Sequence, residues 1–107
     1  MITEDQAQAA VDYLRDTADS TAQARANHSY LCEYRKVIKA KCMRKHLDKP
    51  VSAQEREAYN DPEYIEHLET IKDAESAMHK ALFLKEAAIA KLDVFRTLSA
   101  NYRGIKV

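Results

Sequence analysis

Glycine, proline and tryptophan are almost missing from this sequence. Its 107 residues include one glycine, two prolines and no tryptophan. An all-β or loop-rich fold would therefore lack the residues that its turns require. Alanine, leucine, glutamate and lysine are common, as they are in long helices. The composition predicts an all-α protein, and the length predicts a single domain.

The chain also has no net charge and no long apolar run. Its 17 basic and 17 acidic residues balance, so no global field draws it to nucleic acid or to an anionic membrane. No stretch is apolar enough to span a bilayer, and no signal-peptide pattern follows Met1. Cys32 and Cys42 would lie about 15 Å apart on one helix, too far for a disulfide. These absences predict a protein of the bacterial cytoplasm with reduced thiols and no membrane contact.

An apolar stripe runs along the second half of the sequence. Its members are spaced by alternating steps of three and four residues, which is typical of a helix with a coiled-coil-like contact face. Two polar residues, Lys85 and Ser99, interrupt it. The stripe consists of Ile71, Ala74, Met78, Ala81, Lys85, Ala88, Leu92, Phe95, Ser99 and Tyr102.

Capping patterns predict where the first helix begins and ends. Thr3-Glu4-Asp5-Gln6 reads as a capping box, in which the Thr3 and Gln6 side chains satisfy each other's backbone N–H groups. The residue before Pro50 is pushed out of the helical region. We therefore expect a first helix over about residues 4–47.

Two further patterns predict a short elbow helix and a second long helix. Ser52-Ala53-Gln54-Glu55 resembles another capping box, which would open an elbow helix over about residues 53–59. Asn60-Asp61-Pro62-Glu63 supplies a cap, a proline at the first helical position and an acid near the helix N-terminus. The last helix should cover about residues 62–102, with Gly104 placed to end it.

Blocks of like charge indicate how the two long helices pair. Residues 1–24 carry five acids and one base, and residues 35–49 carry seven bases and one acid. Residues 55–75 carry eight acids and two bases, whereas residues 80–107 carry six bases and two acids. Folding the chain at the elbow brings each acidic block beside a basic block. The sequence therefore predicts an antiparallel helical hairpin.

The apolar surface is wider than one intramolecular contact needs. A stripe of this width implies another helix against it. We expect a homodimer that forms a four-helix arrangement, or a larger assembly; a different partner protein is the competing explanation. The additional apolar residues are Leu14, Tyr30, Leu31, Tyr34, Val37 and Ile38 in the first helix, and Leu68, Ala77, Leu82, Leu84, Ile89 and Leu98 in the last.

Motifs for catalysis are missing from the sequence. It has no GxSxG, no glycine-rich phosphate loop, no CxxC and no HExxH. His28 with Cys32, and Cys42 with His46, have the four-residue spacing of two zinc ligands. The two pairs would lie about 21 Å apart on one helix, so one chain cannot combine them. We predict no enzyme, no catalytic residues, no metal and no cofactor.

Two groups of residues are candidates for contact with a partner or with nucleic acid. The end of the last helix mixes an aromatic ring, arginines and an amide, residue types that suit both interface hot spots and single-strand stacking. The second group belongs to a basic run in the first helix, whose field the acids of 55–75 should partly cancel. The first group is Arg96, Asn101, Tyr102 and Arg103, and the second is Arg35, Lys39, Arg44 and Lys45.

Two segments resemble parts of small helical proteins that tailed bacteriophages and prophages encode. Residues 52–64, SAQEREAYNDPEY, resemble the elbow of those proteins, and residues 95–103, FRTLSANYR, resemble their closing helix. Tryptophan often stands there at the place of Phe95. Members of this family tend to lie among early genes for recombination and single-stranded DNA metabolism. The resemblance implies an accessory role there and brings no catalytic or binding residues with it.

Three functions are therefore considered. The first is a non-catalytic accessory factor in DNA recombination, replication or single-stranded DNA metabolism, which docks on a phage or host protein and binds DNA weakly if at all. The second is an inhibitor that covers a host nuclease or defence complex, with the acidic face of residues 55–75 imitating nucleic acid. The third is a structural helical spacer in a phage assembly.

Overall fold

The computed structural model describes the backbone of residues 1–106 and the side chains of residues 1–104. Within these residues there is no strand, so the all-α prediction is confirmed. A short helical elbow joins two long helices, and the predicted helical hairpin is also confirmed. The elements are α1 (Glu4–Met43), a 3-10 turn (Arg44–His46), α2 (Val51–Tyr59) and α3 (Pro62–Lys106).

Two of the predicted helix starts have the expected caps. The backbone N–H of Gln6 donates to Thr3 Oγ1 at 3.2 Å, and the Thr3 N–H donates to Gln6 Oε1 at 3.0 Å. Before α3, the carboxylate of Asp61 accepts the backbone N–H of Glu63 at 2.9 Å, and Pro62 is the first helical residue. Both caps satisfy N–H groups that the first helical turn leaves unpaired.

The second predicted capping box is wrong. Helix α2 begins at Val51 with Pro50 as its N-cap, and no side chain caps it. Instead, Gln54 Nε2 donates to the carbonyl oxygen of Lys49 at 2.8 Å. Proline already sets the backbone for the first turn, so the helix starts two residues before the predicted position.

The two long helices also end elsewhere than predicted. Helix α1 ends at Met43 rather than near 47, because the chain tightens into the 3-10 turn before Pro50. Helix α3 continues beyond 102 to Lys106, and Gly104 has no positive φ. A glycine lowers helix propensity, but it ends a helix only where the backbone turns left-handed. No helix in the described part of the chain has an apolar stretch that could cross a bilayer.

Residue contacts divide the chain into two compact units. Unit 1 is made of Met1–Ala22 and His79–Val107, and unit 2 is Gln23–Met78. Each unit therefore contains a segment of α1 and a segment of α3, and unit 2 also contains the 3-10 turn and α2.

In unit 2, the helices enclose a small hydrophobic core. Ile38 and Cys42 of α1, Ala58 of α2 and Tyr64 of α3 are buried together, and Met43 packs against them. The contact face includes half-buried polar residues as well as apolar ones. Its buried and half-buried members on the two long helices are Ala24, His28, Leu31, Ile38 and Cys42, and Tyr64, His67, Ile71, Ala74 and Met78.

In unit 1, the contact face is made mainly of small residues. Ala7, Ala10 and Ala88 are its buried members. The half-buried members add hydroxyl groups and a few larger apolar side chains. They are Leu14, Thr17, Thr21, Ala81, Leu92, Phe95 and Ser99. The stripe read from the sequence of α3 is thus the inner face of that helix, although Lys85 and Tyr102 are exposed.

Candidate interaction surfaces

The end of α3 forms the largest of the described cavities in unit 1. The cavity has a volume of about 490 Å³. Its apolar lining residues are Phe95, Leu98 and Tyr102 of α3 together with Met1 and Ile2, and Arg103 also lines it. The first residues of the chain complete the lining, and Glu4 is the acid among them. An apolar pocket with a few polar groups at its rim is the usual form of a binding site.

Two residues of the first candidate group line this cavity and two do not. Tyr102 is 58% exposed, and the Arg103 Nε donates to the carbonyl oxygen of Ser99 at 3.4 Å. Arg96 lies seven residues before Arg103, two helical turns away on the same side of α3. Its guanidinium contacts Asp93 at 3.8 Å, and Asn101 is exposed. Arg96, Tyr102 and Arg103 are thus associated with this end of unit 1, whereas Asn101 lies on a different side of α3 from Arg96 and Arg103.

The second candidate group is divided between two elements. Arg35 and Lys39 lie on α1, whereas Arg44 and Lys45 lie in the 3-10 turn that follows it. Lys39 lies 3.6 Å from Glu55 and over the ring of Tyr59. Arg35 and Lys39, four residues apart, share a face of α1, and Arg44 and Lys45 follow outside that helix.

Five lysine–carboxylate contacts tie residues 39–49 to α2 and to Asp61 and Glu63. Two of them are close, with Lys41 at 2.8 Å from Glu63 and Lys45 at 2.9 Å from Asp61. The other three are longer: Lys45 with Glu63 at 3.5 Å, Lys39 with Glu55 at 3.6 Å and Lys49 with Glu57 at 3.7 Å. The predicted pairing of the 35–49 and 55–75 charge blocks is therefore present in unit 2.

These ion pairs change the pKa values of the residues that form them. The pKa of Asp61 lies below its ordinary value because Lys45 and the backbone N–H of Glu63 both donate to it. The pKa of Glu63 is lowered in the same way by Lys41. The pKa values of Lys41 and Lys45 are raised by the same hydrogen bonds. All four groups are charged at neutral pH.

A thiol and two carboxylates also approach each other in unit 2. The candidate ligand atoms of Cys42, Asp61 and Glu63 lie within 4.8 Å of one another. Three such groups could in principle hold a metal ion. However, Lys45 Nζ already lies against both carboxylates, at 2.9 and 3.5 Å. Burial raises the pKa of the Cys42 thiol and so disfavours the thiolate that a metal would need. The cluster is better explained as part of the core and its ion pairs.

The two His–Cys pairs read from the sequence have different surroundings in the structure. His28 Nε2 lies 3.5 Å from the Sγ of Cys32, so this pair does face one way on α1. Cys42 is instead buried in the core of unit 2. His67 approaches from α3, but its Nε2 lies 2.9 Å from the carbonyl oxygen of Leu31. His28 and His67 thus contribute to packing and hydrogen bonding in unit 2.

A groove lies between α1 and α3 in unit 1. It is lined by the buried Ala10 and Ala88 and the exposed Ala9 and Ala87, and its volume is about 270 Å³. Larger side chains rise at its rim, and Leu84 is 46% exposed. The rim residues are Tyr13, Leu84 and Lys91. We call these seven residues the alanine groove.

Sequence reasoning missed most of α1's contribution to these surfaces. Steps of three and four do connect its inner residues, but alanine, threonine and histidine hold many of these positions. A search for large apolar side chains therefore selected Tyr30, Tyr34 and Val37, which are exposed. The rings of Tyr30 and Tyr34 stack at 5.7 Å on this outer surface. A search for small residues at the same spacing would have found Ala7 and Ala10.

Comparisons with known protein families, with curated proteins and with solved structures found no match for this chain.

Proposed function

We propose that this protein is a non-catalytic accessory factor in DNA recombination, replication or single-stranded DNA metabolism, and that it acts by docking on another protein. The cavity at the end of α3 carries the proposal. Its apolar wall is open to solvent in unit 1, and Tyr102 and Arg103 line it. The link to DNA metabolism comes from the resemblance of residues 52–64 and 95–103 to phage proteins of that setting.

The chemistry of the cavity describes the partner. An apolar side chain would fill the space beside Phe95, Leu98 and Tyr102. Carboxylates next to that side chain would meet Arg103 and, two turns earlier, Arg96. Tyrosine and arginine at a partly dry pocket are the residue types that contribute most to binding energy. The fitting partner is therefore an acidic protein segment with an exposed aromatic or aliphatic side chain.

The inhibitor hypothesis receives less support from the geometry. Nucleic-acid imitation needs a row of uncompensated acids. In residues 55–75, however, Glu55, Glu57, Asp61 and Glu63 each lie within 4 Å of a lysine of the 39–49 segment. No specific contact in the described residues favours a purely structural spacer.

A binding experiment with purified components tests the proposal. The immobilised protein is exposed to a phage recombinase, to a single-strand DNA-binding protein and to oligothymidine at about 20 mM salt. We expect binding to one of the two proteins, weakened about tenfold or more by Tyr102→Ala or Arg103→Gln. Tyr30→Ala removes an exposed tyrosine of unit 2, 62% exposed, and serves as the matched control.

Three outcomes would contradict the proposal. Binding to neither protein would remove the docking role. Equal weakening by Tyr102→Ala and Tyr30→Ala would show that the cavity is not the contact. Binding to oligothymidine alone, lost on substitution of Arg35, Lys39, Arg44 and Lys45 by glutamine, would replace docking by direct DNA contact.

A further inference from the structure

The alanine groove has the form of a socket for another helix. Ala10 and Ala88 are buried at its floor, at 5% and 8% exposure. Tyr13 and Leu84 stand at its rim, one on each helix. Small residues below large ones create the holes that receive side chains of a packed helix. The groove is therefore suited to a helix rather than to a small molecule.

A second row of residues, spaced by three and four positions, runs along α3 at this groove. Leu84, Ala87, Lys91, Val94 and Leu98 repeat at steps of three and four residues, beside the inner stripe. Val94 is 48% exposed and Leu98 is 39% exposed. A helix with one contact partner needs only its inner stripe, whereas a helix in a four-helix bundle carries a wider one.

A matching pattern occurs on the α1 segment of unit 1. Gln6, Ala9, Tyr13 and Asp16 follow the same three- and four-residue steps along the groove side. Ala9 and Tyr13 line the groove itself. Each wall of the groove thus has a row of its own: the α1 row ends in the polar residues Gln6 and Asp16, and the α3 row is apolar except for Lys91.

Charge identifies which helix would occupy the groove. The α1 segment of unit 1 carries five acids, Glu4, Asp5, Asp12, Asp16 and Asp19, and one base, Arg15. The α3 segment up to residue 104 carries five bases and two acids. Packing α1 on α1 of another copy would place acids against acids. Packing α1 on α3 of another copy places acids against bases, and it does so twice in a two-fold symmetric pair.

We propose that a second copy of this chain covers the alanine groove, with the α1 segment of each unit 1 packed on the α3 segment of the other. The two-fold axis then lies along the helices, and every helix is antiparallel to its neighbours, as in common four-helix bundles. Tyr13 faces the partner's Leu84. Asp16, three residues beyond Tyr13, faces the partner's Lys80, four residues before Leu84. This dimer does not depend on which partner the end cavity binds.

The variants Leu84→Asp and Ile89→Asp test whether dimerisation depends on the alanine groove or on any exposed apolar residue of unit 1. Both leucine and isoleucine are partly exposed on α3, at 46% and 40%, but only Leu84 lines the groove. Light scattering after gel filtration should show wild-type protein at twice the chain mass of 12.2 kDa. We expect Leu84→Asp to be a monomer and Ile89→Asp to remain a dimer. Circular dichroism verifies that both variants are helical.

A charge exchange tests the arrangement within the dimer. Lys80→Glu should raise the dissociation constant about tenfold or more, and Asp16→Lys in the same chain should restore it. A monomeric wild-type protein at high micromolar concentration would overturn the dimer. Equal dissociation by Leu84→Asp and Ile89→Asp would overturn the groove as its contact. Tighter association of the single variant Asp16→Lys would overturn the α1–α3 pairing in favour of α1 on α1.

These experiments distinguish a loss of partner binding from a loss of self-association. Tyr102→Ala alters the end cavity and leaves the alanine groove unchanged, because Tyr102 is not among the residues that line the groove. Leu84→Asp alters the groove and leaves the cavity lining unchanged. Loss of one interaction without the other therefore identifies the surface concerned.

Discussion

The two units use the same pair of helices in different ways. Unit 2 has a compact core around Cys42, Ala58 and Tyr64, and lysine–carboxylate pairs surround it. Unit 1 has buried alanines and leaves two open cavities lined by apolar side chains. The difference agrees with a proposed division of labour, in which unit 2 holds the hairpin together and unit 1 carries the proposed docking and self-association surfaces.

Side-chain size is the physical reason for the difference. A buried tyrosine or isoleucine removes much apolar area from water, and each such side chain is worth about 1.5–3 kcal/mol. An alanine removes far less, so unit 1 gains less from its own contacts. Larger apolar side chains are exposed in both units, for example Leu84 and Val94 in unit 1 and Tyr30 and Val37 in unit 2.

Replacing a central residue of each unit should have the largest effect. Tyr64→Ala is expected to lower the free energy of unfolding by about 3–5 kcal/mol, because it opens a cavity in the core of unit 2. Phe95→Ala in unit 1 should lower it by only about 1–2 kcal/mol, since Phe95 is half-buried. Urea unfolding followed by circular dichroism measures both. Equal losses would contradict the proposed division of labour.

Enlarging one alanine in each unit gives a smaller pair of effects that differ between the units. Ala58→Leu should cost about 1–3 kcal/mol, because Ala58 is completely buried. Ala87→Leu should cost under about 1 kcal/mol in dilute protein, since Ala87 lines the alanine groove and is exposed. The same Ala87→Leu variant should weaken self-association in light scattering. A large loss of stability with unchanged self-association would argue against the groove.

Acid should weaken unit 2 through its carboxylates. The folded-state pKa values of Asp61 and Glu63 lie below their ordinary values of 3.8 and 4.5. Their contribution to stability is therefore complete above the ordinary values and is lost as the pH falls through the lowered ones. The urea midpoint should decline across this acidic range, and less steeply in Asp61→Asn. Asp93→Asn in unit 1 is the matched control and should change the decline least.

The smallest effect on stability should come from the exposed rim of the end cavity. Arg96→Gln breaks a 3.8 Å pair with Asp93 whose side chains are 77% and 62% exposed. The free energy of unfolding should change by under about 0.5 kcal/mol. Binding to the partner protein should nevertheless weaken severalfold, as measured with the immobilised protein. A clear loss of stability would show that the rim supports unit 1 itself.

Much of the fold was predictable because it depends on local rules. The near absence of glycine and proline, the Thr3 and Asp61 caps and the three- and four-residue steps on α3 act over one or two helical turns. The pairing of the 35–49 and 55–75 blocks was also predictable, because opposite charges on successive helices need only the chain to reverse between them. The start of α2 was mispredicted, since Pro50 set the backbone there without help from the Ser52 side chain.

The candidate site was predictable only in part. Residues 96–103 combined residue types that are common in interfaces, and two of them, Tyr102 and Arg103, line the end cavity. The basic run of residues 34–45 was the second choice, and its Lys39, Lys41 and Lys45 contact carboxylates that lie 16 to 22 residues away along the chain. Which lysines are neutralised depends on the register of the helices, and no local rule sets it.

The amino-acid sequence by itself determined the helices, their approximate ends and the direction in which they pair, because propensity, capping and charge blocks act on short segments. The tertiary structure decided which small residues become buried, where cavities open and which apolar side chains are exposed. The physical reason is that burial depends on the distance between two helices. In unit 1 the buried positions of both helices are alanines, Ala7, Ala10 and Ala88, whereas in unit 2 the larger side chains of Ile38 and Tyr64 are buried as well.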